Sequence, residues 1–455
     1  MRIGKFEVLK KVRFKMATIF FVFGSFLISN SLKAQESRPL SLQDAIELSL
    51  KNSNQLKASV ARNEQAAAMV RSALDNRLPS ASISGSYLRL AHPNVSLKLP
   101  KNGSDSTGGG GGNSVPSVNQ AMYGIANVSL PVYAGGKIRY GIESAKYLEQ
   151  AVKLSGDNDR QAIILNTMDA YVNLYKASET VRVVKENLAQ SNKRDSVFSR
   201  LEQNGLLARN DLLKAQLQTS NIELSLMEAE SNLKISTINM DLLIGYPEED
   251  KLMIDSSAFD QSYDLNTIED YEQLALKNRK DVQALSYRLK AAGSNILAAK
   301  GDLYPTLALT GGYIAAYVPH LLTITNAVNI GVGLQYNLSS LWKTKSKINL
   351  AKAKQEEIVA QQSSLDDGIR LQINKDYEHF LLAKRKITVY EKAVSQAEEN
   401  ARITKNKYDN GLVNTTDLLD ANVLLLQSKI NLAVSKADVL LGYNRLKQTA
   451  GILEK

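Results

Sequence analysis

The sequence predicts a mainly α-helical chain with a small β part, built from long antiparallel helical hairpins joined to four short strands that enter a membrane. Three observations predict it. The chain is two copies of one unit, long stretches carry apolar residues at 3-4 spacing, and four segments of about ten residues alternate apolar with small polar side chains.

The start of the chain is not part of that fold. Arg2, Lys5, Lys10, Lys11, Arg13 and Lys15 precede the apolar run MATIFFVFGSFLIS and then SLKAQ. This is the pattern of a secretory signal peptide cleaved after Ala34, so residues 1–34 are assigned to it. The run is too short, and too promptly followed by polar residues, to favour a permanent spanning helix; a retained anchor is the alternative. Its removal takes away seven basic residues and one acid, Glu7, and lowers the formal net charge from +10 to +4. The basic balance is therefore largely targeting signal and gives little reason to invoke nucleic acid. With no cysteine in the chain, disulfides and lipid attachment through an N-terminal cysteine are excluded. No later segment approaches the ~18 consecutive apolar residues of a membrane helix, so a return into a membrane must use strands.

The repeat decides the architecture. SLQDAIELSLKNSNQLKASV from Ser41 aligns with TIEDYEQLALKNRKDVQALS from Thr267, and the same offset joins Leu78-Pro79 to Tyr304-Pro305 and Gly85-Ser86-Tyr87 to Gly311-Gly312-Tyr313. After the first strand pair the offset shortens: Ala145-Lys146 matches Ala351-Lys352, Tyr171 matches Tyr377 and Gly245 matches Gly451. The first copy occupies residues 35–246 and the second 247–455. The extra residues of the first copy include KNGSDSTGGGGGNSVPS, a flexible loop-tip composition that lacks the Gly-Lys-Ser/Thr ending of a phosphate-binding loop.

Within each copy the order is helix, strand pair, helix, helix. Helices are predicted at 41–78, 137–204 and 207–245, then at 268–304, 344–410 and 412–450, with Ser41 and Asp44 as a start signal and Pro79 as a stop. Ile373, Tyr377, Phe380, Ile387, Val394, Ala397, Ala401 and Tyr408 form a coiled-coil seam on one of them, though an ordinary amphipathic bundle accounts for it equally well. A helix of the predicted length rises about 100 Å, and the two shorter helices of a unit laid end to end reach roughly the same length. One long helix can then pair with two stacked short ones.

Strands are predicted at about 80–91, 121–132, 306–318 and 327–338. AVNIGVGLQYNL places Val328, Ile330, Val332, Leu334, Tyr336 and Leu338 on one face and Asn329, Gly331, Gly333, Gln335 and Asn337 on the other. TLALTGGYIAAYV puts Leu307, Leu309, Tyr313 and Tyr317 opposite Thr306, Thr310 and Gly312. Apolar-out, small-polar-in segments with tyrosines near their ends are the pattern of transmembrane barrel strands. A half-buried soluble sheet shows the same period, but its outer face would carry charge, and this exported helical chain offers no second layer. Four strands cannot close a barrel, and open edges cannot persist in lipid, so other copies of the chain must complete it.

One motif recurs where a long helix ends. LEQNGLLARNDLLKA at 201–215 and YDNGLVNTTDLLDA at 408–421 share Gly205-Leu206 with Gly411-Leu412, and Asp211-Leu212-Leu213 with Asp417-Leu418-Leu419. With these turns in view, residues 40 to 451 resemble a TolC-type outer-membrane efflux protein (outer membrane factor). The resemblance rests on the doubled unit, the Leu-Pro entry to the first strand, the signal peptide and the Gly-Leu…Asp turns. It implies a homotrimer in which three chains form a periplasmic α-barrel and share one 12-stranded β-barrel in the outer membrane. It also implies a passive exit duct of a tripartite efflux or type I secretion system, with a periplasmic adaptor and an inner-membrane pump as partners and outer-membrane lipid as surroundings. The turns at Gly205, Leu206, Gly411 and Leu412 become the periplasmic tips. Asp417 and Asp420 are similar to the family's ring aspartates, which narrow the entrance. Tyr408 matches its gate tyrosine, and Asp211 matches the aspartate to which that tyrosine hydrogen-bonds. The gate arginine of the family's best-known members falls at Val413, which puts the charged half of the lock in doubt.

Physically, carboxylates from several chains around one axis repel each other, attract cations and focus a negative potential in a narrow mouth. Lys214 stands where the second copy has Asp420, so that acid is specific to one copy. Capping of the returning helices is the other reading of Asp211 and Asp417, whereas Asp420 lies too far into its helix for an ordinary cap. Other chemistry is thin. His92, His320 and His379 lack visible metal-site partners, Trp342 before KTKSK reads as an interfacial anchor, and no nucleophile elbow, zinc spacing or dinucleotide fingerprint occurs. No catalytic residue and no cofactor are expected. The alternative function is a soluble periplasmic coiled-coil adaptor or scaffold; a hydrolase using the aspartate pairs lacks a nucleophile and an oriented base.

Overall fold

The computed structural model describes residues 38–91, 118–247, 252–259, 263–319 and 321–453. The signal peptide, the Gly/Ser tract, His92 and His320 lie outside the described residues. In chain order the elements are β1 (Arg38–Leu40), α1 (Leu42–Asn52), α2 (Asn54–Asp75), β2 (Ser80–Arg89), β3 (Gln120–Ala134), α3 (Lys137–Gln203) and α4 (Arg209–Ile244). They are followed by β4 (Leu252–Ile254), α5 (Ile268–Asn278), α6 (Lys280–Lys300), β5 (Thr306–Val318), β6 (Leu322–Gln335), α7 (Ser340–Asp409) and α8 (Thr415–Thr449).

Helix starts follow side-chain chemistry. The Ser41 hydroxyl accepts the Asp44 amide at 3.1 Å, and the second copy repeats the device with Thr267 and Asp270, whose amide and carboxylate are exchanged at 3.2 and 3.3 Å. The single helices predicted at 41–78 and 268–304 are each broken. Ser53 (φ −58°, ψ 118°) separates α1 from α2, and Arg279 (φ −60°, ψ 129°) separates α5 from α6. Side-chain contacts accompany the breaks: the Asn52 side-chain amide donates to the distant Ile244 carbonyl, and the Arg279 guanidinium clamps Asp281 at 2.6 and 3.0 Å. α2 also stops at Asp75, short of Pro79, because Arg77 and Leu78 form tight turns onto Leu74 and Asp75.

The chain divides into two compact units, and they do not follow the two repeats. One contains residues 55–159 and 272–371, the other the remaining segments, so each draws on both copies. In the first, four antiparallel strands run in the order β2-β3-β5-β6. β3 carries Pro131 although it is a central strand. The register shifts there, with Pro131 opposite Ala308 and Tyr133 opposite Leu307, so Val132 is an extra residue and a bulge admits the proline. β6 begins at Leu322 rather than at 327. A second shift, between Ile314 and Ala316, is absorbed by Asn326 at φ 57°, whose amide donates to the Tyr313 hydroxyl at 3.2 Å. It ends at Gln335, because the Asn337 side chain accepts the Ser339 amide and hydroxyl and turns the chain into α7.

In the second unit, an element absent from the sequence reading pairs the chain start with the inter-repeat segment: β1 and β4 are parallel, Arg38 opposite Leu252 and Leu40 opposite Ile254. Beneath them lies a core of Tyr171, Val172, Leu174, Met240, Ile244, Phe259, Ala437 and Leu440. The buried Tyr171 hydroxyl donates to the Leu40 and Asp255 carbonyls at 2.9 and 3.0 Å.

Candidate functional site

Two places carry the functional geometry, the sheet and the helical turns. Cross-strand registry aligns side chains in rows. Ile83, Ala126, Tyr313 and Val328 share one row, and Ala81, Val128, Gly311 and Ile330 the next. All lie on one face. Ile83 is 88% exposed and Ile330 85%, and Tyr87, Met122, Val128, Leu309, Val332 and Leu334 are exposed beside them. The opposite face carries Ser80, Ser129, Thr310 and Gly331 in one row and Ser82, Asn127, Gly312 and Asn329 in the next. Through these rows one surface is thus apolar across four strands and the other small and polar; further along, Ile125 opposite Ile314 interrupts the polar face. β2 and β6 are the outer strands of this sheet, with one edge each unpaired.

The predicted turns are closed by paired reverse hydrogen bonds. Leu206 and Gly205 amides donate to Leu201 and Glu202 carbonyls at 2.8 and 2.9 Å; Leu412 and Gly411 amides donate to Lys407 and Tyr408 at the same distances. Gly205 and Gly411 sit at φ 71° and 69°, where a side chain costs about 1 kcal/mol. Open space surrounds both, so the demand is conformational rather than steric. The following leucines point outward, Leu206 75% and Leu412 73% exposed.

α8 then starts on a capping box. The Asn414 side chain accepts the Asp417 amide at 3.0 Å, and the Asp417 carboxylate accepts the Asn414 amide at 3.2 Å. α4 starts on Ala208 with no side-chain cap, and the Asp211 carboxylate lies 3.8 Å from the Lys214 ammonium. Asp417 therefore caps its helix, as the second reading allowed. It keeps an exposed side, one turn from exposed Asp420, while Leu418 and Leu419 face inward.

The Tyr408 link differs from the one the resemblance implied. Among the described residues its hydroxyl partner is Thr415, whose Oγ1 donates at 3.5 Å, and not Asp211. Its ring stacks on Phe198 with centroids 5.5 Å apart, against a cluster of Leu212, Ala215 and Leu418. Lys214 adds a polar link between the two turns, donating to Thr416 Oγ1 at 3.5 Å. Phe198 and Thr415 were missed in the sequence, although an aromatic two turns before Gly205 was a usable signal. Above this cluster a polar layer crosses the α3–α4 pair. Thr219 donates to Asp195 at 2.6 Å and lies 2.7 Å from Ser191, whose hydroxyl is also held by Arg194. Burial pulls the Arg194 guanidinium below its ordinary value, against the pull of Asp195. Among the described residues no group of three or more His, Asp or Glu side chains could hold a metal ion.

The family described as outer membrane efflux protein matches residues 45–246 and, a second time, residues 272–452. The chain belongs to that family. Each match falls within one copy of the repeat. Among its relatives are the outer membrane efflux protein BepC of Brucella suis biovar 1 (strain 1330), 22% identical over 345 residues covering 74% of each chain. The outer membrane protein TolC of Escherichia coli (strain K12) is 23% identical over 323 residues, 65% of this chain and 63% of its own. The solved structure of the outer membrane protein VceC from Vibrio cholerae has the same fold, with a TM-score of 0.72 at 20% identity over 90% of this chain and 96% of that one. This outer membrane efflux protein is accordingly an outer-membrane channel protein that extends into the periplasm, and not an enzyme. The soluble-adaptor alternative is set aside: the matched family lies in the outer membrane, and the solved structures of this fold are outer-membrane channels.

Proposed function

We propose that this efflux protein works as a homotrimer. Three four-stranded sheets would close one 12-stranded barrel, and the helices of the three chains would form the periplasmic tube. The observation that carries this is the sheet itself: it has an apolar exposed face, a small polar face, and unpaired edges at β2 and β6 that lipid would not tolerate. Joining β6 of one chain to β2 of the next satisfies every edge. The polar face then lines water and the apolar face meets acyl chains. The tips, with outward Leu206 and Leu412, offer contact points for a periplasmic adaptor that bridges to an inner-membrane pump. Asp417 and Asp420 would ring the entrance, and Tyr408 with Phe198 and Thr415 would hold it closed without the family's arginine. Native mass spectrometry of the detergent-extracted protein tests the assembly. Three chains per particle are expected, and a stable lone chain refutes it.

A further inference from the structure

We infer that the end of the sheet where strands give way to helices binds the headgroups of anionic phospholipids, through the basic opening of α7 beside the exposed Trp342. This goes beyond a bilayer-crossing sheet, which by itself prefers no class of lipid.

The apolar face of β6 does not stop with the strand. Leu338, Leu341 and Trp342 continue it, all exposed, with Trp342 at 65%. Charge changes at the same place. From Tyr336 to Gln355 the chain carries Lys343, Lys345, Lys347, Lys352 and Lys354 and no acid. α3 opens in the same way, with Lys137 and Arg139. Neither helix has an acid in its first turn, although the helix dipole favours acids there. Lysines in those positions weaken the helix start, so they answer to something outside it.

Helical geometry places them usefully. At roughly 100° per residue, Lys345 falls between Leu341 and Trp342 on the helix surface, so one face presents an ammonium together with apolar side chains. The neighbouring acid does not neutralise it. Asp302 is already engaged by Lys137 and by Lys347, the latter at 2.8 Å, and the two lysines hold its carboxyl below the ordinary carboxylate range. Lys343 and Lys345 form no ion pair among the described residues. A free cationic band against an apolar strip, at the rim of a lipid-facing sheet, matches a molecule with a phosphate head and acyl tails. A carboxylate polymer such as the cell-wall glycan would satisfy the lysines but leave Trp342, Leu341 and Leu338 in water.

The test uses a reporter the chain already has, because Trp342 is its single tryptophan. The assembled protein is reconstituted into mixed bilayers in which either phosphatidylglycerol or phosphatidylcholine carries bromine, and Trp342 quenching is followed against mole fraction. Phosphatidylglycerol should quench at lower mole fraction, and the preference should shrink in high salt. In K343Q/K345Q it should fall by up to about fivefold for each lysine removed. Equal quenching by the two lipids overturns the proposal, as does an unchanged preference in the double variant or in high salt. Loss of the preference with millimolar inorganic phosphate assigns the site to a free anion and also overturns it. So does a variant that stops sedimenting with cell-wall sacculi yet keeps its lipid preference. Quenching by neither lipid removes Trp342 from the bilayer and overturns the proposal as well.

Discussion

Replacing Ile330 by arginine should block membrane insertion, whereas the same replacement at Ser82 should be tolerated. The two residues lie on the outer strands of one sheet, in adjacent rows but on opposite faces, Ile330 in the row of Gly311 and Val128, Ser82 in the row of Asn127 and Gly312. An arginine at the lipid face near mid-bilayer costs about 2–4 kcal/mol. In the proposed three-chain barrel the substitution is present three times, about 6–12 kcal/mol in all, which rivals the whole stability of an ordinary domain. At Ser82 the guanidinium reaches lumen water and the cost should be near zero. The assay is refolding into lipid vesicles from urea, scored by protease protection of the sheet. I330R should remain digestible while S82R is protected like the unmodified protein. Insertion of I330R together with failure of S82R would show that the two faces are reversed, and the argument from alternation would fall.

Three further outcomes follow from the turns and the strand–helix joint. D417N/D420N should weaken cation preference in planar-bilayer recordings, and unchanged selectivity removes both residues from the pore. F198A should deprive the Tyr408 ring of its stacking partner, cost about 3–5 kcal/mol of local packing and raise the leak conductance of the isolated channel; closure like the unmodified protein would show that the cluster is not part of the gate. Asp302 has its carboxyl lowered by Lys137 first and Lys347 second, so its folded value lies below its unfolded one. Its contribution is therefore present above the ordinary carboxylate range and lost as pH falls through the depressed folded value. Thermal melts of the unmodified protein and D302N should differ near neutrality and converge in acid, and a gap that widens in acid would contradict the sign.

The doubled helices and the four strands were legible because period and repeat are both written in side-chain type. Ile330 next to Asn329 states a face, and Gly205 matched by Gly411 states a turn. The breaks at Ser53 and Arg279 were not legible, since the 3-4 pattern of apolar residues runs on through them; the first depends on Asn52 finding the Ile244 carbonyl, the second on Arg279 folding back onto Asp281. The bulges at Val132 and Asn326 depend on neighbouring strands in the same way, although Pro131 inside a strand was a hint. At the two turns the residue types were visible but their partners were not. Thr415, rather than Asp211, meets Tyr408, because Lys214 sits close to Asp211 and the capping box sets where α8 begins.

The short parallel pairing of Arg38–Leu40 with Leu252–Ile254 bears on the order in which the protein is made. The partners lie nearly half the chain apart, Arg38 against Leu252, so the segment at Arg38 has nothing to zip to until the inter-repeat segment has itself been translocated. The hairpins closed at Gly205 and Gly411 need only local contacts and can form early. A pause in export anywhere before residue 252 would leave the leading segment loose, available to chaperones or proteases, until the middle of the polypeptide arrives to close the clasp.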